Sequence, residues 1–101
     1  MKYADVQAER GFLGAVLALP SRTSTHTSTL DPSDFADPNH AAVWSAILHL
    51  HQTGQRIDVA TVADRLAATN RPDLDTRWLV TLLATQAGSD VAAANIIRRN
   101  A

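Results

Sequence analysis

The sequence predicts an all-α protein, a compact orthogonal bundle of five to six helices. Apolar residues recur at helical spacing in segment after segment. The cleanest set is Val59, Val62, Ala63, Leu66 and Ala67, at i, i+3, i+4, i+7 and i+8. Helix-starting and helix-stopping residues sit at the ends of such segments, as Asp37-Pro38 and Gly54 do. No segment alternates apolar and polar residues long enough to make a strand.

The first helix is expected from about Asp5 to Leu19. Asp5 caps it, because a carboxylate there accepts from exposed amides of the first turn. Val6, Leu13, Val16 and Leu17 fall near one face, and Phe12 widens it. Gly11 and Gly14 lie inside this pattern, each costing about 1 kcal/mol of helix propensity relative to alanine. Close backbone packing against another helix explains such residues. Pro20 ends the segment. Ser21 to Ser28, with no apolar periodicity, is read as a polar surface loop (about 21–29) with room for one short helical turn; its alternative is a modified or partner-ordered segment.

Leu30 to Phe35 is a turn, and Phe35 is the first apolar anchor after the loop. Asp37 caps the next helix, with Pro38 at its first position, where a missing N–H does no harm. It runs to about Thr53, with Val43, Ile47 and Leu50 as its stripe and Trp44 and Leu48 at the flanks. Gly54 ends it in a left-handed conformation. Asp58 starts the Val59–Ala67 helix, which Asn70 and Pro72 close. Another spans about Thr76 to Ala87, with Trp78, Leu79, Leu82 and Leu83 buried and Gly88 as its stop. Ser89 caps a last helix through Asn100, with Val91, Ala94 and Ile97 toward the body. Arg98 and Arg99 complement the negative end of its dipole.

A length of 101 residues suits one helical domain spanning 1–101, and a 46% hydrophobic content supplies one core. Nine basic residues against ten acidic ones give a net charge of −1. That balance argues against a dominant role in gripping phosphate backbones, which takes a basic stripe, and leaves room for a small local basic patch. The lack of cysteine rules out disulfides and thiolate metal sites. No apolar run approaches the roughly 18 residues that cross a bilayer. Met1-Lys2-Tyr3-Ala4 leads into a charged amphipathic segment rather than a signal peptide's apolar core. A cytoplasmic protein without membrane attachment is expected.

Catalytic signatures are missing. There is no G-x-x-x-x-G-K-[ST], no G-x-G-x-x-G and no G-x-S-x-G. His49 and His51, two apart on a helix, point to different faces and cannot share a metal. His26 is expected to be solvated or locally hydrogen-bonded. His40, in the first turn of its helix, is read as packing near Phe35 and the helix start, with a switch as the alternative. Asp58 and Asp75 suit capping positions, and Asp64 with Arg65 an exposed face. No carboxylate pair suits acid–base work. Trp44 belongs to the core; Trp78, at the edge of its stripe, is either half-exposed packing or an interface anchor. No catalytic residue, cofactor or metal is expected, and the chain is not expected to be an enzyme.

Several segments together resemble one family. Ala8-Glu9-Arg10-Gly11-Phe12-Leu13-Gly14 is similar to the A-E-x-x-[hydrophobic]-L-G opening of the N-terminal domain of DnaB-type replicative helicases. Phe35 to His40 matches its F-x-x-x-x-H segment, and Val43-Trp44-Ser45-Ala46-Ile47 continues it. Gly54 and Ile57 to Val62 resemble G-x-x-[apolar]-D-x-x-T-[VL], with Asp58 and Thr61 in register; Ala94 to Arg99 resembles A-x-[IV]-[IV]-[RK]. The motif positions carried over are Glu9, Leu13, Gly14, Phe35, His40, Asp58 and Thr61. The chain departs from the family where it has Ser21–Ser28 instead of a second helix with apolar positions. It also lacks a G-G before Trp78 and an aromatic near Ala93.

The resemblance implies a scaffold that binds proteins: other helicase subunits, primase and, in some systems, a loader. It implies no direct nucleic-acid binding, and only weak self-association without the helical hairpin that follows in the family. Trp78, with the faces around Gln7 and Arg10, is the expected interface. The alternatives are a standalone adaptor mimicking the helicase head and the helicase-binding C-terminal domain of a primase. A helix-turn-helix DNA binder is disfavoured, because the helix after Asp58 offers only Arg65 as a basic residue.

Overall fold

Local side-chain chemistry sets where each long helix begins. The structure, a computed structural model, describes residues 5–101; the expectation drawn from Met1-Lys2-Tyr3-Ala4 lies outside them. In chain order the helices are α1 (Val6–Ala18), α2 (Thr23–His26), α3 (Pro38–Gln52), α4 (Val59–Ala68), α5 (Thr76–Leu83) and α6 (Asp90–Asn100). Short 3-10 turns occupy Pro20–Arg22 and Pro32–Asp34, and no strand occurs among the described residues. Asp5, Asp37, Asp58, Asp75 and Ser89 each accept from a first-turn amide of the helix that follows, satisfying donors with no intrahelical partner.

Two helices stop as the sequence implies. Beyond α3, Gly54 adopts φ 70° and the Gln55 amide reaches back to the Leu50 carbonyl at 2.9 Å. Beyond α4, Asn70 adopts φ 68° and the Arg71 amide reaches Leu66 at 2.8 Å. Both satisfy carbonyls orphaned at the helix end, using residue types that tolerate positive φ.

The core is built around α1, against which α3, α5 and α6 pack. Phe12, Leu13, Val16, Val43, Trp44, Ile47, Val62, Leu79 and Leu82 are fully enclosed. The Phe12 ring meets that of Trp44 edge-on at 5.1 Å, and the Trp44 indole N–H donates to the Leu30 carbonyl at 2.8 Å, so the largest core side chain has its polar atom satisfied. The glycines of α1 let α5 and the chain after it approach closely. A Cβ at Gly14 would collide with the Leu82 carbonyl oxygen and come within 3.0 Å of the Gln86 Cα; one at Gly11 would come within 3.1 Å of the Ala87 Cβ.

The structure corrects several expectations. The Ser21–Ser28 segment contains the one short helical turn allowed for it and exposes most of its hydroxyl residues, but it is not wholly at the surface. It includes part of a 3-10 turn and all of α2, with Thr23 and His26 buried. The inward residues of this short helix are a threonine and a histidine. The Thr23 hydroxyl is buried without a hydrogen-bond partner. α5 stops at Leu83 rather than near Ala87, because the Ala87 amide donates to the Gly11 carbonyl of α1 at 2.9 Å. Val6 and Val91 are exposed, since each lies in the first turn of its helix, short of the core; Ala67 is exposed on the outer side of α4. Arg65, expected on an exposed face, is half-buried.

Gly14→Ala is expected to destabilise the fold by about 3 kcal/mol, because the obstruction is backbone that cannot swing away. Gly11→Ala, which meets a side-chain methyl, is expected to lose less. Urea unfolding followed by far-UV circular dichroism measures both.

Candidate functional site

Three of the motif residues, Glu9, Phe35 and His40, meet where α1 approaches the start of α3. Glu9 is buried, at 2% exposure, in the first turn of α1. Its Oε2 accepts from the Ala36 amide at 2.8 Å, and its Oε1 from the Asp37 amide at 3.2 Å. The same Oε1 accepts from His40 Nδ1–H at 2.8 Å; an ionised carboxylate only accepts, so the imidazole is the donor. A carboxylate this deep is tolerated when its lone pairs are filled. The two amides lie just before α3, at the positive end of its dipole. Phe35 is buried beside them, with its ring 6.1 Å from Phe12 and 6.4 Å from Trp44.

Glu9, Phe35 and His40 thus form a joint inside the protein, with neither Glu9 nor His40 open to a substrate. Leu13 and Gly14 lie on the same helix, in the core and against α5. Asp58 and Thr61 form a reciprocal cap: Asp58 Oδ1 accepts from the Thr61 amide at 2.8 Å, and Thr61 Oγ1 accepts from the Asp58 amide at 2.9 Å. The amide of Thr61 holds the Asp58 carboxyl below the usual aspartate range.

A second polar cluster ties α2 to α6. His26, nearly enclosed, donates from Nε2 to Asp90 Oδ2 at 2.6 Å, and Arg22 Nε reaches the same oxygen at 3.1 Å. The His26 ring also meets Phe12 edge-on at 5.0 Å. Burial raises the Asp90 carboxyl, but the hydrogen bonds from His26 and Arg22 outweigh it, so Asp90 titrates below the usual aspartate value. The sequence carries no signal for this cluster, because His26 sits in a hydroxyl-rich stretch and its partner lies 64 residues away.

Two of the three expected interface residues, Arg10 and Trp78, come together, and the third, Gln7, lies elsewhere. Trp78 is half-buried on α5, packed against the core, so it contributes to packing while leaving part of its ring at the surface. Arg10 reaches from α1 to Thr81 on α5, donating to its carbonyl at 3.3 Å and its hydroxyl at 3.2 Å. Thr81 in turn donates to the Trp78 carbonyl, which brings Arg10 and Trp78 to one place. Gln7 does not join them. It lines a shallow groove of about 410 Å³ between α1 and α6, with Ala8, Ser89, Ala92 and Ile96. Another groove, of about 370 Å³, separates α3 and α4. Among the described residues no three His, Asp or Glu side chains are placed to hold a metal ion, and no helix is long and apolar enough to cross a membrane.

A family model described as the DnaB-like helicase N terminal domain matches residues 1–99. The chain belongs to that family. The replicative DNA helicase DnaC of Bacillus subtilis is 33% identical to it over 92 residues, which is 91% of this chain and 20% of that protein. The replicative DNA helicase DnaB of Treponema pallidum is 37% identical over 62 residues, 61% of this chain and 14% of the relative. The chain therefore spans about a fifth of the length of the Bacillus subtilis relative. Among solved structures, the N-terminal domain of DnaB helicase from Mycobacterium tuberculosis superposes with a TM-score of 0.89 at 30% identity, covering 99% of this chain and 72% of that one. The corresponding domain from Helicobacter pylori, described together with its interactions with primase, shares the fold at a TM-score of 0.75 and 22% identity, covering 92% and 75%.

Glu9→Ala leaves two amides and an imidazole facing an apolar cavity and is expected to cost about 3 kcal/mol or more in a chemical unfolding titration. Glu9→Gln, which keeps one acceptor oxygen, should lose less. Because the Asp90 carboxyl is depressed in the folded state, its contribution is present above the ordinary aspartate value and is lost as pH falls through its lowered one. Asp90→Asn should therefore be less stable at neutral pH and lose less stability between neutral and strongly acid conditions, as read from melting temperatures across that range.

Proposed function

We propose that this chain is a non-catalytic protein-interaction domain of a replicative DNA helicase, supporting helicase assembly and docking primase or a loader during DNA replication. Residues 1–101 act as one helical domain in this reading, working in the cytoplasm without binding nucleic acid directly. One observation carries it. The motif-bearing polar groups Glu9, His40, Asp58 and Thr61 are engaged in internal hydrogen bonds, while α5 presents Trp78 at the surface beside Arg10 and an exposed Val80. An aromatic ring anchored in the core and open on one side is the kind of residue on which protein interfaces concentrate their energy. Family membership supplies the helicase setting, and the related Helicobacter pylori domain interacts with primase. Gln7, Arg10 and Trp78 are the proposed interface residues, with Gln7 extending the surface toward α6.

The test is a calorimetric titration of the chain with the primase of the same organism. Trp78→Ala is expected to weaken binding roughly tenfold or more per folded molecule, the folded fraction being measured by circular dichroism. A variant that loses stability yet binds primase with unchanged affinity per folded molecule assigns Trp78 to packing alone.

A further inference from the structure

The outer face of α5 carries Arg77, Val80, Thr81 and Ala84, the last being its C-cap, at i, i+3, i+4 and i+7, and all four are exposed. Val80 is 52% exposed, on a helix whose inner face holds the enclosed Leu79 and Leu82. A single exposed valine means little by itself. Its surroundings distinguish it. Arg77 stands one turn before it, and Arg10 arrives from α1 at the next residue, donating only to the neutral oxygens of Thr81. Neither arginine pairs with a carboxylate among the described residues, a state they share with Arg65, Arg98 and Arg99, whereas Arg22, Arg56 and Arg71 each pair with an aspartate. What sets these two apart is that they flank an exposed valine. Asp75, at the start of the same helix, directs its carboxylate to the Trp78 amide at 3.0 Å. In a chain of net charge −1 this is a local cationic frame around an apolar centre.

We infer that this stripe receives an amphipathic helix of the partner, whose apolar ridge covers Val80 and whose aspartates or glutamates meet Arg10 and Arg77. The inference rests on the docking function proposed above and supplies the chemistry of the docked element. The backbone of α5 is committed to its own helix, so the face has no strand edge to extend and recognition falls to side chains at helical spacing. Thr81 and Ala84 are small, which lets a second helix settle its ridge alongside Val80. Carboxylates are the complement of unpaired guanidinium groups, which bind them in a fork geometry. A nucleic-acid backbone would match the cations but gain nothing from the valine between them.

The experiment is a primase titration of the whole chain at low and high salt, with Arg77→Glu and Val80→Ser as variants. Both changes lie at exposed positions, and circular dichroism verifies that each variant folds. Each is expected to weaken binding about tenfold. Wild-type affinity should fall as salt rises, and Arg77→Glu should flatten that dependence. Primase binding that is indifferent to both variants and to salt overturns the inference and leaves the docking function standing. No primase binding by the wild-type chain overturns primase docking and this inference with it. If Arg77→Glu abolishes binding to a DNA oligonucleotide but not to primase, the stripe belongs to nucleic acid and the inference fails.

Discussion

The carboxylate of Glu9 is the constraint around which this protein is arranged. It is a charged group with almost no access to water, and it exists there because two amides and an imidazole converge on it. All three donors come from the entry to α3. The bond network therefore fixes where α3 begins relative to α1, and with it the placement of Trp44 and Ile47 in the core. An apolar contact at this point would tolerate sliding; a carboxylate with directional partners does not. The position of Glu9 in the family's opening motif reads accordingly as architectural.

Around that joint, the remaining polar residues of the interior do similar work. Asp90 draws His26 and Arg22 onto one oxygen and so holds the hydroxyl-rich segment against α6. Phe12 stands between the two polar clusters, touching the rings of His26, Phe35 and Trp44. A segment with little apolar surface of its own is thus retained by one imidazole and one ion pair. The Thr23 hydroxyl remains unsatisfied within it.

Much of this was legible in the sequence, and the reasons are local. Asp5, Asp37, Asp58, Asp75 and Ser89 announce helix starts through chemistry confined to three or four residues, and Gly54 announces a stop the same way. Gly11 and Gly14 signal close approach because nothing else justifies glycine there. What escaped sequence reasoning depends on distant partners. The end of α5 is set by a carbonyl on α1, and the burial of His26 by an aspartate far along the chain. Hydrophobic periodicity also counts Val6 and Val91 as core, although each lies where its helix has only just begun and no neighbour covers it. At the surface, sequence spacing set Gln7 beside Arg10 on one helix, while the fold directs them to different neighbours.

The contact between Gly14 and the Leu82 carbonyl has a mechanical consequence for the outside of the molecule. Where two helices are separated by side chains, each can shift slightly as rotamers adjust. Where main chain rests on main chain, that compliance is absent, so α5 is seated on α1 like a rail on its bed. A molecule landing on the far side of α5 meets a surface already immobilised when the protein folded, and little freedom is left to be lost in the encounter. The glycine that weakens α1 as an isolated helix thereby hardens a face on the opposite side of its neighbour.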